Sequence, residues 1–177
     1  MDFEFALMSE TDISARVQAL NSLDGINGVT IPSPVTVEDT VCWYKNGLSN
    51  PNRKDFVLRE DGEALGFSGI SNIDYKSGSS ELYIFMCPEA IGKGMGKRLL
   101  LLTLNYAKAE LNLRKITLYV TAGNDRAETL YKTIGFFHEG LLKQHAWHRG
   151  EYVDRNIYSI FLNSLHLTPK DMYNVLK

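Results

Sequence analysis

Between Glu81 and Ala109 an apolar run, a glycine-rich turn and a helical stripe follow one another directly. Glu81-Leu82-Tyr83-Ile84-Phe85-Met86 is apolar at both odd and even positions, as a central strand covered on both faces would be. Gly92-Lys93-Gly94-Met95-Gly96 follows, and then Met95, Leu99, Leu102, Tyr106 and Ala109 recur at spacings of 4, 3, 4 and 3. That spacing marks one buried face of a helix, and Leu100, Leu101 and Leu104 widen it. A covered strand that passes through glycines into a buried helix demands a layered α/β arrangement around a sheet.

The flanking segments agree. Phe3 to Leu7 reads as a short strand, a helix capped at Ser9 or Thr11 runs to about Ser22, and Asp24 to Pro34 reads as a loop. Thr36-Val37-Glu38-Asp39 resembles a capping box opening a further helix. Asp61-Gly62 and Lys76-Ser77-Gly78 punctuate two hairpins. Lys115 to Thr121 is β-branched and aromatic and predicts a strand, and Asp125-Arg126-Ala127-Glu128 predicts a capped short helix ending at Gly135. Phe136 to Trp147 and Glu151 to Phe161 flank Arg149-Gly150 as a last hairpin, and Thr168-Pro169 can start a terminal helix. The expected fold is α/β, with a mixed, mainly antiparallel sheet flanked by helices and at least one parallel crossover. At 177 residues and about 150 residues per domain, residues 1–177 are expected to form a single domain.

The 19 basic and 21 acidic residues nearly cancel, which argues against a broad nucleic-acid-binding or membrane-binding surface. The start, Met1-Asp2-Phe3-Glu4-Phe5, is acidic where a signal peptide is basic, and the apolar run Leu82 to Cys87 is far short of the ~20 residues that span a bilayer. Cys42 and Cys87 form no C-x-x-C pair and are expected to be free thiols in a soluble cytoplasmic protein. His138, His145 and His148 lack the spacing of a metal set, so no metal is expected.

Ile91 to Arg98 holds Lys93, Lys97 and Arg98 with no acid among them, although the chain as a whole is nearly neutral. Glycines expose backbone N–H groups, and a helix start adds about half a positive charge, so this turn is built for an anion such as phosphate. It is not a Walker A loop, for no Lys-Ser/Thr follows the last glycine, and its G-x-G-x-G spacing misses the dinucleotide fingerprint.

Two stretches together carry a family resemblance. Leu82 to Glu89 leading into Gly92-Lys93-Gly94-Met95-Gly96-Lys97 is the first, and Asn124-Asp125-Arg126-Ala127-Glu128-Thr129-Leu130-Tyr131-Lys132-Thr133-Ile134-Gly135-Phe136 is the second. In this order, with a helix and a strand between them, they resemble the GNAT superfamily of N-acetyltransferases. Glu139-Gly140 and Gly150-Glu151-Tyr152-Val153-Asp154 are similar to the subgroup that acetylates ribosomal-protein alanine, spermidine and nucleotide-linked amino sugars. One position departs from the pattern: Ile91 stands where the family usually has Gln or Arg.

The resemblance implies acetyl-CoA as co-substrate, bound in a cleft where two central strands splay. Phe85, Met86, Ile91, Gly92, Lys93, Gly94, Met95, Gly96, Lys97 and Asn124 are the implied cofactor-binding residues, with the loop amides on the pyrophosphate and the Met86 backbone polarising the thioester carbonyl as an oxyanion hole does. A bulge before Pro88 is expected to free those groups. Asn124 either bonds the pantetheine arm or caps its helix. Tyr131 matches the tyrosine that protonates the leaving sulfur. Glu81, on one strand face with Tyr83 and Phe85, is the candidate base, with Asp74 and Glu139 as weaker alternatives, and Trp147 and Tyr152 are candidates for the acceptor pocket. No family nucleophile signature surrounds either cysteine, so direct transfer is expected. The favoured acceptor is an amino sugar, with a polyamine or a peptide amine as the alternative; a non-catalytic acyl-CoA-binding module is the competing class. A homodimer is expected from the resemblance alone.

Overall fold

The computed structural model describes residues 2–28 and 30–165. Its strands are β1 (Phe3–Leu7), β2 (Lys54–Glu60), β3 (Glu63–Asp74), β4 (Ser79–Met86), β5 (Lys115–Thr121), β6 (Phe137–His148) and β7 (Glu151–Phe161). The helices are α1 (Ile13–Asn21), α2 (Leu23–Gly28), α3 (Val37–Leu48), α4 (Met95–Ala109) and α5 (Asp125–Ile134). The strands form one sheet of seven in the order β1-β2-β3-β4-β5-β7-β6. Every neighbouring pair is antiparallel except β4 and β5, which α4 joins as a parallel crossover.

The alternation of side chains along the central strands sorts the core into two layers. Phe56 and Leu58 of β2, Ile70 of β3 and Leu82 of β4 face the layer that holds Leu99, Leu100 and Leu104 of α4. Val57, Phe67 and Phe85, from the same strands, face the layer that holds Ile13, Ala19 and Leu20 of α1. Both faces of β2 to β4 are thus covered, which is why the run ending at Met86 reads as apolar throughout. Burying one leucine such as Leu99, which is 0% exposed, contributes about 2 kcal/mol.

Turn chemistry follows the sequence. Asp61 and Gly62 take φ of 49° and 88°, and Arg149 and Gly150 take 54° and 92°, the left-handed pairs of tight hairpins. Thr36 caps α3 through its side chain, which accepts from the Asp39 N–H at 3.1 Å.

Three expectations are corrected. The segment from Asp24 is not all loop, because Leu23–Gly28 forms α2. Ser22 starts it: its Oγ donates to the Ala19 carbonyl at 2.6 Å and accepts from the Gly25 N–H at 3.0 Å. Gly25 is needed there, for a Cβ on it would lie 2.1 Å from the Ala19 carbonyl oxygen. The cap of α5 is Asn124, one residue earlier than the capping box places it. No bulge precedes Pro88: β3 and β4 pair in unbroken register from Ser71↔Glu81 to Gly66↔Met86. The helix expected at Thr168-Pro169 lies outside the described residues. Among the described residues no helix is long and apolar enough to cross a membrane.

β4 and β5 are paired only at Ser79↔Lys115, Ser80↔Ile116 and Glu81↔Thr117. Past that point β4 stays on β3 as far as Met86, and β5 stays on β7 as far as Thr121. The sheet therefore opens between its two central strands.

Candidate active site

The gap between β4 and β5 is a cavity of about 770 Å³. Residues Glu81 to Met86 form one wall, and Tyr119 to Asn124 form the other, continued by Ala127, Leu130 and Tyr131 of α5. The glycine turn (Ile91, Gly92, Gly94, Gly96 and Lys97) closes one end, α2 contributes Asp24 and Gly25, and β7 contributes Arg155.

The divergence of β5 does what the expected bulge was to do. The Cys87 N–H donates to the Leu65 carbonyl at 2.9 Å, toward β3. Amides alternate along an antiparallel strand, so those of Met86 and Ile84 point to the opposite edge, where β5 has left. The Met86 side chain also packs on the α4 layer. Its core role and its place in the cavity wall coexist.

In the glycine turn, Gly92 and Gly94 take φ of 81° and 78°. A side chain built on either would meet no heavy atom within 4 Å among the described residues, so the loop presents bare backbone. Gly94 is the N-cap of α4, and the first amides of a helix have no intrahelical acceptor. This arrangement fits a pyrophosphate. The three expected cations separate. Lys97 lines the cavity, but the Arg98 guanidinium lies 3.9 Å from the centroid of the Phe3 ring, packed on β1. Lys93 is exposed, its N–H donates to the Ala90 carbonyl at 3.4 Å, and it does not line the cavity. Nor does Met95, which packs on the α4 core. The cofactor role the resemblance implies for these two residues is through the loop amides and asks nothing of their side chains. Arg126 of α5 is a further cation among the lining residues. The Ile91 N–H is engaged by the Pro88 carbonyl at 3.2 Å, while the Ile91 side chain lines the cavity.

Tyr131 and Glu81 both line the cavity. Tyr131 is only 7% exposed, packed on Phe136 and Tyr158. Burial pushes its phenol up to about 12, with Arg155 acting in the opposite direction. Asn124 caps α5, its Oδ1 accepting from the Ala127 N–H at 3.2 Å, and it also lines the cavity. Both expected roles remain available to it. α5 is held down by Glu128, which accepts from the Tyr158 hydroxyl at 2.7 Å and from Asn156 Nδ2 at 2.9 Å.

Other expectations fall outside the cavity. Asp74 closes its own turn through the N–H groups of Lys76 and Ser77. Glu139 pairs with Lys115 at 2.7 Å and accepts from Ser159. Trp147 and Tyr152 pack edge to face at 4.9 Å on the β6–β7 hairpin, 59% and 64% exposed, and are not among the residues that line this cavity. Burial pushes the Cys87 thiol up to about 11, with Glu89 adding to the shift, so it is a protonated and inert group. Among the described residues no three His, Cys, Asp or Glu side chains cluster as metal ligands.

Asp24, Gly25, Arg126 and Arg155 line the cavity without having been expected there. Arg155 follows the quoted Gly150-Glu151-Tyr152-Val153-Asp154 by one residue, but it stands between Asp154 and Asn156, so no local pattern in the sequence singles it out.

Comparison with known proteins adds the family. Residues 22–136 match the model described as the acetyltransferase (GNAT) family. The chain is 30% identical over 129 residues to a spermidine N(1)-acetyltransferase of Escherichia coli K12, covering 71% of this chain and 69% of that one. The crystal structure of a Vibrio cholerae spermidine N-acetyltransferase in complex with CoA and spermine superposes with a TM-score of 0.85, at 24% identity, covering 91% and 96% of the two chains. A dodecameric structure of a spermidine N-acetyltransferase from the same organism gives a TM-score of 0.78 at 24% identity, with 91% and 94% covered.

Proposed function

This chain belongs to the acetyltransferase (GNAT) family, and on that premise we propose that it transfers the acetyl group of acetyl-CoA to a primary amine of a polyamine. Acetyl-CoA-dependent N-acetyl transfer is the activity of the family; the polyamine acceptor is our reading.

The observation that carries it is the single slot opened where β4 and β5 part after Glu81↔Thr117. The slot has the cationic glycine turn at the Met86 end of β4 and a carboxylate at the other, five residues or about 16 Å away. Its only carboxylates among the lining residues are Asp24 and Glu81. Two carboxylates in a cavity suit an acceptor with more than one ammonium group, whereas a nucleotide diphosphate would meet like charge there. The spermidine acetyltransferases among the relatives point the same way, so the polyamine displaces the amino sugar favoured on sequence.

In this mechanism the loop amides with Lys97 and Arg126 hold the pyrophosphate. Acetyl-CoA supplies the activated thioester. The free Met86 amide faces the pantetheine arm, and the free Ile84 amide, nearer Glu81, faces the thioester carbonyl oxygen. Glu81 takes a proton from the ammonium, directly or through water, and Tyr131 delivers one to the sulfur. Residues 1–177 act as one domain in this reading. A dimer is the assembly expected from the resemblance; the dodecameric neighbour shows that proteins of this fold also form larger assemblies, and light scattering on the purified chain separates the two.

The test is CoA-thiol release with spermidine, spermine, a nucleotide-linked amino sugar and a peptide amine. The polyamines are expected to give the highest kcat/KM. A higher value for the amino sugar or the peptide overturns the acceptor assignment, and acetyl-CoA binding without thiol release from any amine favours a non-catalytic module.

A further inference from the structure

Tyr83, Gly69 and Asp55 stand in a row across three strands, for Tyr83 of β4 pairs with Gly69 of β3, and Gly69 pairs with Asp55 of β2. The Tyr83 hydroxyl reaches over Gly69 and donates to Asp55 Oδ1 at 2.5 Å, although the two backbones are two strand spacings, roughly 10 Å, apart. Gly69 makes room for the ring: a Cβ there would lie 2.1 Å from Tyr83 Cε1 and 2.6 Å from its Cζ. A glycine inside a strand weakens it and marks a close approach, and here the approaching group is this ring. Asp55 is itself fixed by Arg53, whose Nε and Nη2 donate to it at 2.7 and 2.9 Å. The ring is thus drawn towards β2 and away from β5.

That direction bears on the cavity. Tyr83 lines it, two residues or about 7 Å along the strand from Glu81 and on the same face. This face turns to the α1 layer, where α2 supplies Asp24 and Gly25 to the lining, whereas Tyr131 packs in the α4 layer. Had β5 stayed in register past Glu81↔Thr117, Tyr119 would stand beside Tyr83; β5 has left, so on that side the ring borders the open slot. A side chain has three staggered χ1 wells, and at Tyr83 a missing Cβ and a carboxylate select one that clears the slot.

We propose that Gly69 and Asp55, neither of which lines the cavity, are positioning residues that act through Tyr83, holding its ring over β3 so that the slot beside Glu81 stays open to the amine. The proposal rests on the amine entering beside Glu81, and it does not require that amine to be a polyamine. A methyl group on Gly69 takes the ring's place on β3 and drives the ring towards the slot, in front of the base. The pyrophosphate end at the glycine turn is left as it was.

The experiment is steady-state kinetics on the full chain with G69A, Y83A, Y83F and G69A/Y83A, using whichever amine of the panel above gives the highest kcat/KM, with thermal melting alongside. G69A is expected to raise the amine KM by about tenfold or more and the acetyl-CoA KM by about twofold or less, and Y83A alone to stay within about twofold of wild type. In G69A/Y83A the amine KM is expected to return to the Y83A value, because the substitution at Gly69 then has no ring to displace. A G69A defect that persists in the Y83A background overturns the proposal. So does a Y83A amine KM as high as that of G69A, which would make the ring a wall that binds the amine. Y83F, which frees the ring from Asp55 without crowding it, decides the matter even where G69A does not fold: its amine KM is expected to rise about threefold to fivefold, and a value no higher than that of Y83A overturns the proposal. If no amine is turned over, the enzyme reading fails by itself, and the same ratios are read as spermidine affinity of the CoA-loaded protein by calorimetry. Absence of both turnover and binding overturns both readings.

Discussion

Glu81 of β4 and Thr117 of β5 are the last residues at which the two central strands face each other as a ladder pair. Everything the cavity holds lies past that pair, and Glu81 stands at its apex. A carboxylate on the last paired residue is attached to rigid sheet on both sides, so it can hold a proton acceptor in one place. Glu81→Gln removes the acceptor and keeps the size. Its kcat with spermidine is expected to fall by about 100-fold or more, with acetyl-CoA affinity unchanged, in steady-state kinetics and calorimetry. Equal turnover would move the base elsewhere, and Asp24 is then the remaining carboxylate in the cavity.

Gly94 and Gly62 share a left-handed backbone, with φ of 78° and 88°, and a Cβ on either meets no heavy atom within 4 Å. Alanine at each therefore costs the fold a similar amount, about 1–2 kcal/mol, and a comparable drop in urea-unfolding free energy is expected. They differ in place, since Gly62 is in the β2–β3 hairpin turn and Gly94 caps α4 at the cavity. Gly94→Ala is expected to weaken acetyl-CoA binding by about tenfold or more as its Cβ intrudes on the loop face, and Gly62→Ala to leave it alone. Equal affinities in the two variants would mean that the ligand does not approach the loop backbone.

Much of this is legible in the sequence because it is local. Asp61-Gly62, Arg149-Gly150 and the Thr36 cap are set by neighbours a few residues apart, and the leucine stripe of α4 follows from one helical period. The cavity is harder to read. It exists because β5 leaves β4 after three pairs, a matter of strand twist and of which partner holds each outer edge. Asp24 enters it only because α2 folds back at Ser22, and Arg155 only because β7 inserts between β5 and β6. Lys93, Lys97 and Arg98 look like one cationic cluster along the chain, yet a helix start fans them apart, sending Arg98 to Phe3.

Glu128 links the stability of α5 to pH. Hydrogen bonds from Tyr158 hold its carboxyl below the usual range, helped by Asn156 and Lys132. A depressed carboxylate stabilises the fold above its unfolded value, near pH 4.3, and that contribution disappears as pH falls through the folded value. Wild type is thus expected to lose melting temperature relative to Glu128→Gln as pH drops from about 6 to about 3, the two curves converging at the acid end. Parallel curves would show that Glu128 carries no such linkage. Because α5 also carries Tyr131, the variant is expected to turn over more slowly at pH 7 as well.

The two cysteines give the sharpest contrast within one molecule. Cys42 is exposed on α3, and Cys87 is buried beside the cavity wall with its thiol pushed up to about 11. Reactivity follows the thiolate fraction and access, and burial lowers both at Cys87. Iodoacetamide at pH 8 is therefore expected to modify Cys42 alone, read by mass spectrometry, and to leave acetyl transfer intact. Two equivalents in the folded protein would show that the Pro88 end of β4 opens in solution. Loss of activity on modification of Cys42 alone would place α3 close to the reacting groups, where the cavity lining does not put it. Cys87→Ser is expected to stay active, because the proposed direct transfer, with Glu81 as base and Tyr131 as acid, passes no acetyl group through sulfur of the enzyme.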